Sequence, residues 1–190
     1  MRVLGIDPGT AIVGYSIIDY ENNKMNVIDY GCIFTSKDLK MEDRLCIIFE
    51  ELTQIIKKYN PTEMAIEELF YFKNNKTVIS VGQARGVIVV CGRLNNLKIF
   101  NYTPLQVKIG ITGYGRAEKK QIQLMVTKIL KLKEIPTPDD AADALAIAIT
   151  HINTSKSGVF TREFAGQISK KQLNKKKLTA KEYRELILNN

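Results

Sequence analysis

The sequence predicts an α/β fold, a five-stranded mixed sheet flanked by helices on both faces. Three observations predict it. The first 34 residues hold three β-rich segments separated by turn residues. The chain then alternates helical and extended patterns. It closes its apolar part with an alanine-rich helical stretch over 139–153.

The first segment, 2–7, is an apolar run (Val3, Leu4, Ile6) that ends in Asp7 and stops at Pro8 and Gly9. Segments 13–18 and 26–34 follow, with Asn22 and Asn23 between them, and the three read as an antiparallel meander. Gly14 allows close backbone approach near the Asp7 turn. Residues 39–58 read as a helix, with Leu45, Ile48, Phe49, Leu52, Ile55 and Ile56 at helical spacing and Lys57 and Lys58 at its C-terminal end. Asn60-Pro61 breaks it. Residues 63–67 form a short strand ending in acid. A second helix spans 75–94, and Gly82 and Gly86 inside it open a close crossing, either within the chain or between two copies. Residues 97–102 form the fifth strand. A glycine-rich loop (Gly110, Gly113, Gly115) then leads into a basic helix over 116–132, and Pro136 and Pro138 precede the last helix.

Composition bounds the class. The 190 residues are 45% apolar and 25% charged, enough for one domain with a sizeable core. Net charge is +8 and pI about 9.3, which favours an acidic partner, nucleic acid first. Cys32, Cys46 and Cys91 lie far apart without a CxxC pair, which argues against zinc and against a disulfide framework. No stretch reaches the roughly 20 apolar residues of a membrane span, and the N-terminus does not read as a signal peptide. These features predict a cytoplasmic protein. The division expected is a folded domain over 1–153 and a flexible basic tail over 154–190. That tail carries nine Lys/Arg against three Glu, +6 of the total charge. It either grips DNA nonspecifically or solubilises the chain; Thr179 and Glu182 in it make a capping box for a short helix.

Three acidic places stand out: Asp7, Glu67 (with Glu68 beside it), and the group Asp139, Asp140 and Asp143. A carboxylate inside a buried strand is costly to ionise unless a positive charge meets it. Residues three or four apart share a helix face, so Asp143 points with Asp140 or with Asp139. If the first and fourth strands are neighbours, the carboxylates converge. Such a cluster suits divalent metal with oxygen ligands, and two ions can serve phosphodiester cleavage. Acids at helix starts are also ordinary caps, the preferred account of Asp139, and strand alternation turns Glu68 away from Glu67.

LGIDPGT, AIEELF, GQARG and, above all, DAADALAIAITH resemble the RuvC family of Holliday-junction resolvases, endonucleases with a ribonuclease H-like fold. The resemblance covers residues 1–153, with its motifs in order. It implies a homodimer that cuts four-way DNA junctions by symmetric nicks with Mg²⁺, two ions per subunit, Mn²⁺ substituting. It places the four ligands on Asp7, Glu67, Asp140 and Asp143, and functional basic residues at Lys108 and Lys119, Lys119 among the catalytic residues. It also implies branch-migration partners of the RuvA and RuvB type.

Phe70, Tyr71 and Phe72 run consecutively before Lys73 and Lys76. An exposed aromatic beside lysines suits stacking on an unpaired base, worth about 1–3 kcal/mol; the resemblance gives that role to Phe70. Phe70, Tyr71, Lys73 and Lys76 are thus DNA-binding candidates. Tyr71, Phe72 and Glu68 depart from the family pattern. His151 lies eleven residues beyond Asp140, about 16 Å along a helix, and is read as structural.

Two other functions compete. An ATP-dependent phosphotransferase of the actin and sugar-kinase type has a similar first phosphate loop but needs a duplicated fold, and no repeat is present. A non-catalytic junction-binding protein would not need all four acids.

Overall fold

Two asparagines with positive φ, Asn22 (50°) and Asn23 (59°), turn the chain sharply between its second and third strands. In the computed structural model, which describes residues 1–68 and 77–157, this turn joins β2 (Ile12–Glu21) to β3 (Lys24–Phe34). β1 (Arg2–Asp7) pairs antiparallel with β2, completing the meander. α1 (Met41–Tyr59) leads to β4 (Glu63–Glu67), which pairs parallel with β1 on its other side. α2 (Thr77–Leu94) returns the chain to β5 (Lys98–Tyr102), parallel to β4. The sheet order is β3-β2-β1-β4-β5, so β1 is central and buried on both faces.

Three helices follow: α3 (Pro104–Thr112), α4 (Lys119–Ile129) and α5 (Asp139–Ser157). α3 falls where the sequence suggested a glycine-rich loop. Thr103 accepts from the Gln106 backbone N–H, the Gln106 side chain accepts from the Thr103 N–H, and Pro104 starts the helix. That capping box outweighs one helical glycine, because Gly110 sits against Thr150, which a β-carbon would approach to 2.7 Å. Gly113, at φ 71°, closes the helix in the left-handed conformation. α4 is accordingly shorter than the 116–132 expected.

The helices divide between the faces. α1 and α2 cover one with Ile48, Leu52, Ala84 and Ile88 against Leu4, Ile6, Ile17 and Ile66. α3, α4 and α5 cover the other with Val107, Val126 and Leu145 against Val3, Ile18 and Ala65. Residues Met1–Asn153 form one compact unit. The aromatic segment with Phe70, Tyr71, Lys73 and Lys76, and the basic tail beyond Ser157, lie outside the described residues.

Gly86 does not make the close intramolecular crossing that its spacing allowed. It is exposed, and a β-carbon there would meet nothing within 4 Å. It opens onto an apolar groove of about 530 Å³ between α1 and α2, lined by Leu45, Phe49, Val87 and Val90.

Candidate active site

β1 and β4 run parallel with Ile6 opposite Ile66, and the next residue along each strand is an acid, Asp7 and Glu67. Both lie at C-terminal strand ends on neighbours about 4.8 Å apart. By strand alternation both face the side covered by α5, as Val3 and Ala65 do. A tight turn follows Asp7. A β-carbon on Gly9 would sit 2.0 Å from the Ile12 carbonyl, and Thr35 donates from its hydroxyl to the Thr10 carbonyl (2.6 Å) and from its N–H to Ala11 (2.9 Å). The turn is thereby tied to the end of β3.

α5 lies close against β1 and β2 because the strands offer almost no side chain there. A β-carbon on Gly14 would be 2.0 Å from the Asp140 carbonyl, and one on Gly5 2.2 Å from the Ala144 carbonyl. The Ser16 hydroxyl donates to that Ala144 carbonyl at 2.9 Å. His151 fixes the helix lengthwise. Its Nε2 meets Glu63 Oε2 at 2.7 Å and its Nδ1 meets the Tyr102 hydroxyl at 2.7 Å. From Glu63 to Glu67 along a strand is about 13 Å; from His151 back to Asp143 along a helix is about 12 Å. The contact at one end therefore sets Asp143 beside Glu67 at the other. Burial lowers the His151 pKa despite Glu63, so the imidazole is a neutral structural group.

The electrostatics show the convergence. Asp7 is pushed up to about 8, first by burial and then by Glu67, Asp143 and Asp140, with Lys119 opposing. Glu67 rises to about 7 by burial and by Asp143. Lys119, first residue of α4, bridges Asp139 (2.6 Å) and Asp143 (2.9 Å). Exposed Asp139 falls below the usual carboxylate range beside it. Asp143 stays raised, because its burial outweighs the same lysine. Burial opposes the Lys119 charge, but its bonds to Asp139 and Asp143 prevail and hold its pKa up. Lys108, from α3, lines the same cleft of about 270 Å³ with Glu67, Lys119 and Asp143.

The structure thus lines one cleft with Glu67, Asp143, Lys108 and Lys119, and Asp7 lies within electrostatic reach of Glu67, Asp143, Asp140 and Lys119. Two features were missed in the sequence. Asp139 is an ion-pair partner of Lys119, which residue spacing alone does not reveal. Cys32 also borders the site: the register runs Asp7–Gly14–Cys32 across the sheet. Burial first, then Asp140, pushes its thiol up to about 11, so it stays protonated at neutral pH.

The donor set is entirely carboxylate oxygen, which fits a hard divalent cation, and the raised carboxyls are short of positive charge. Among the described residues no three His, Cys, Asp or Glu side chains are yet grouped around one point.

Half-buried strand-end carboxylates under an acidic helix, flanked by lysines, make a site suited to phosphodiester chemistry. The family model for crossover junction endodeoxyribonuclease RuvC matches residues 3–151. Crossover junction endodeoxyribonuclease RuvC of Fusobacterium nucleatum subsp. nucleatum is 70% identical over 154 residues, 81% of each chain. The Thermus thermophilus RuvC structure matches with TM-score 0.78 and 34% identity, covering 83% of this chain and 97% of that one. The structure of T. thermophilus RuvC in complex with Holliday junction substrate matches with TM-score 0.76 and 31% identity, with the same coverage. The chain belongs to the RuvC family, and it is a metal-dependent nuclease of the ribonuclease H-like fold. Among the described residues no helix is long and apolar enough to cross a membrane.

Proposed function

We propose that this protein resolves four-way DNA junctions in recombination and repair, as a cytoplasmic homodimer that makes symmetric nicks with Mg²⁺. The observation that carries the reading is the pairing of Asp7 and Glu67 at adjacent strand ends beneath Asp143, with both strand-end carboxyls held up. Asp7, Glu67, Asp140 and Asp143 would hold two Mg²⁺ per subunit, with Mn²⁺ as a substitute. Bound ions supply an activated water and a stabilised leaving oxygen for in-line cleavage. The protein's own residues do the rest. The carboxylates fix the geometry on two strands and one helix. Lys108 and Lys119 attract the phosphodiester into the cleft, where Lys119 would stabilise charge on the scissile phosphate. The aromatic segment with Phe70 and Tyr71, together with Lys73 and Lys76, engages the branch point.

Two equivalent cuts in one junction call for a two-fold dimer with one site per subunit. The open groove at Gly86 on α2 supports that face as the seam. RuvA- and RuvB-type proteins are the implied partners, and the basic residues of 154–190 add nonspecific DNA affinity.

The test is cleavage of an end-labelled four-way junction beside linear duplex and single strand, with Mg²⁺ and with chelator. Paired nicks at symmetric points, on the junction and with metal only, are expected, and Asp7→Asn should bind the junction without cutting. Equal cutting of duplex, or cutting by Asp7→Asn, contradicts the reading.

A further inference from the structure

We propose that Tyr114 and Arg116 form a second DNA contact, an aromatic shelf on the α3–α4 loop that stacks a nucleobase beside the strand being cut. The inference rests on the junction-nuclease reading and names a binding element of that site.

The loop runs from one cleft lysine to the other. Lys108 lies one turn before the end of α3, and Lys119 begins α4; both line the cleft with Glu67 and Asp143. Between them stands Tyr114, 57% exposed. One exposed aromatic alone is ordinary, but exposed apolar side chains grouped together mark a candidate contact surface. Its surroundings are apolar and basic. Leu105 and Ile109, one turn apart on α3, are 54% and 48% exposed, and Gly115 lies over both. Arg116 and Lys120 are exposed nearby in the chain. An exposed aromatic with apolar neighbours, followed in the chain by Arg116 and Lys120 with one acid, Glu118, between them, matches a nucleobase with its flanking phosphates, and it matches an acidic peptide less well because the ring offers a π-face for stacking.

The loop is held in place, so binding orders little. The Gly113 N–H donates to the Ile109 carbonyl at 2.8 Å, the Tyr114 N–H to Thr112 Oγ1 at 3.1 Å, and the Ala117 N–H to the Tyr114 carbonyl at 3.4 Å. Ala117 is buried in the core. Gly115 packs against the Leu105 side chain, which a β-carbon there would approach to 2.6 Å. The aromatic ring is thus presented outward by a pinned backbone, and stacking costs little conformational entropy.

The test measures binding of the full chain to a four-way junction in chelator, which stops cutting, over a salt series. One junction arm carries 2-aminopurine near the crossover. Tyr114→Ala should weaken binding about tenfold with an unchanged salt slope and abolish the fluorescence quenching. Tyr114→Phe should retain both affinity and quenching. Arg116→Gln should lower the salt slope by about 1. Thermal melts of each variant exclude unfolding, which Tyr114→Phe also controls. Wild-type affinity and quenching in Tyr114→Ala overturn the shelf while leaving the nuclease reading intact. If the wild type shows no preference for the junction over duplex, both fall.

Discussion

Beneath α5 the central strands present Gly5, Gly14 and Ser16; on the opposite face, beneath α1 and α2, the same strands present Leu4, Ile6 and Ile17. The two helical layers are therefore held by different means. The α1–α2 layer rests on large aliphatic side chains, which set an ordinary spacing and can repack. α5 rests almost on backbone, with the Asp140 and Ala144 carbonyls against glycine positions, and there nothing can yield. The contrast separates the parts of the fold that give stability from those that give position. Asp140 and Asp143 reach Asp7 and Glu67 because the sheet beneath them is bare.

Gly14→Ala should break this contrast most severely. The added methyl would meet the Asp140 carbonyl, lifting the start of α5. A stability loss of about 3 kcal/mol is expected, measured by urea denaturation, together with a fall of at least about 100-fold in junction cutting.

Leu52→Ala, in the opposite layer, removes a fully buried side chain. It should cost a similar or slightly smaller amount, about 2–3 kcal/mol. Cutting at a temperature where the variant is folded should match the wild type, read in a single-turnover assay.

A pH series of metal-free melts sharpens the account of the site. In the folded chain Asp7 keeps its proton up to about pH 8, whereas unfolded aspartate releases it near pH 4. Its contribution is therefore complete below about pH 4 and is lost as pH rises through about 8, so metal-free stability should fall over that range. Asp7→Asn should flatten the slope and stabilise the metal-free protein at pH 8 by of order 2 kcal/mol. Added Mg²⁺ should raise the melting temperature more at pH 8 than at pH 6.

Lys119→Met should give the smallest change in stability. Its ion pairs are half exposed, and the variant should lie within about 1 kcal/mol of wild type by chemical denaturation. Its cutting rate should fall far more, as the proposed role of the lysine at the phosphate requires.

Most of this architecture was legible in the sequence. Turn residues divided the meander, and an acid at the end of a buried strand, met by a second acidic strand end and an acidic alanine-rich helix, marked the candidate site. What remained hidden depends on through-space packing. The capping box of Thr103 and Gln106 was present in the sequence, but Gly110 and Gly113 read as loop, and only the contact of Gly110 with Thr150 shows why a helix needs glycine there. The spacing of Gly82 and Gly86 resembled a close crossing, yet Gly86 faces open space. His151 was read as structural, but its partners were not visible in the sequence. Its bonds to Glu63 and Tyr102 join elements 88 and 49 residues distant, and they set the register that brings Asp143 to Glu67.

The most direct test compares single-turnover junction cutting by Gly14→Ala and Leu52→Ala at one temperature, with melts proving both folded. The contrast between the two layers predicts that Gly14→Ala has lost cutting while Leu52→Ala cuts at the wild-type rate. Equal rates in the two variants would contradict the claim that the bare strands beneath α5 assemble the site.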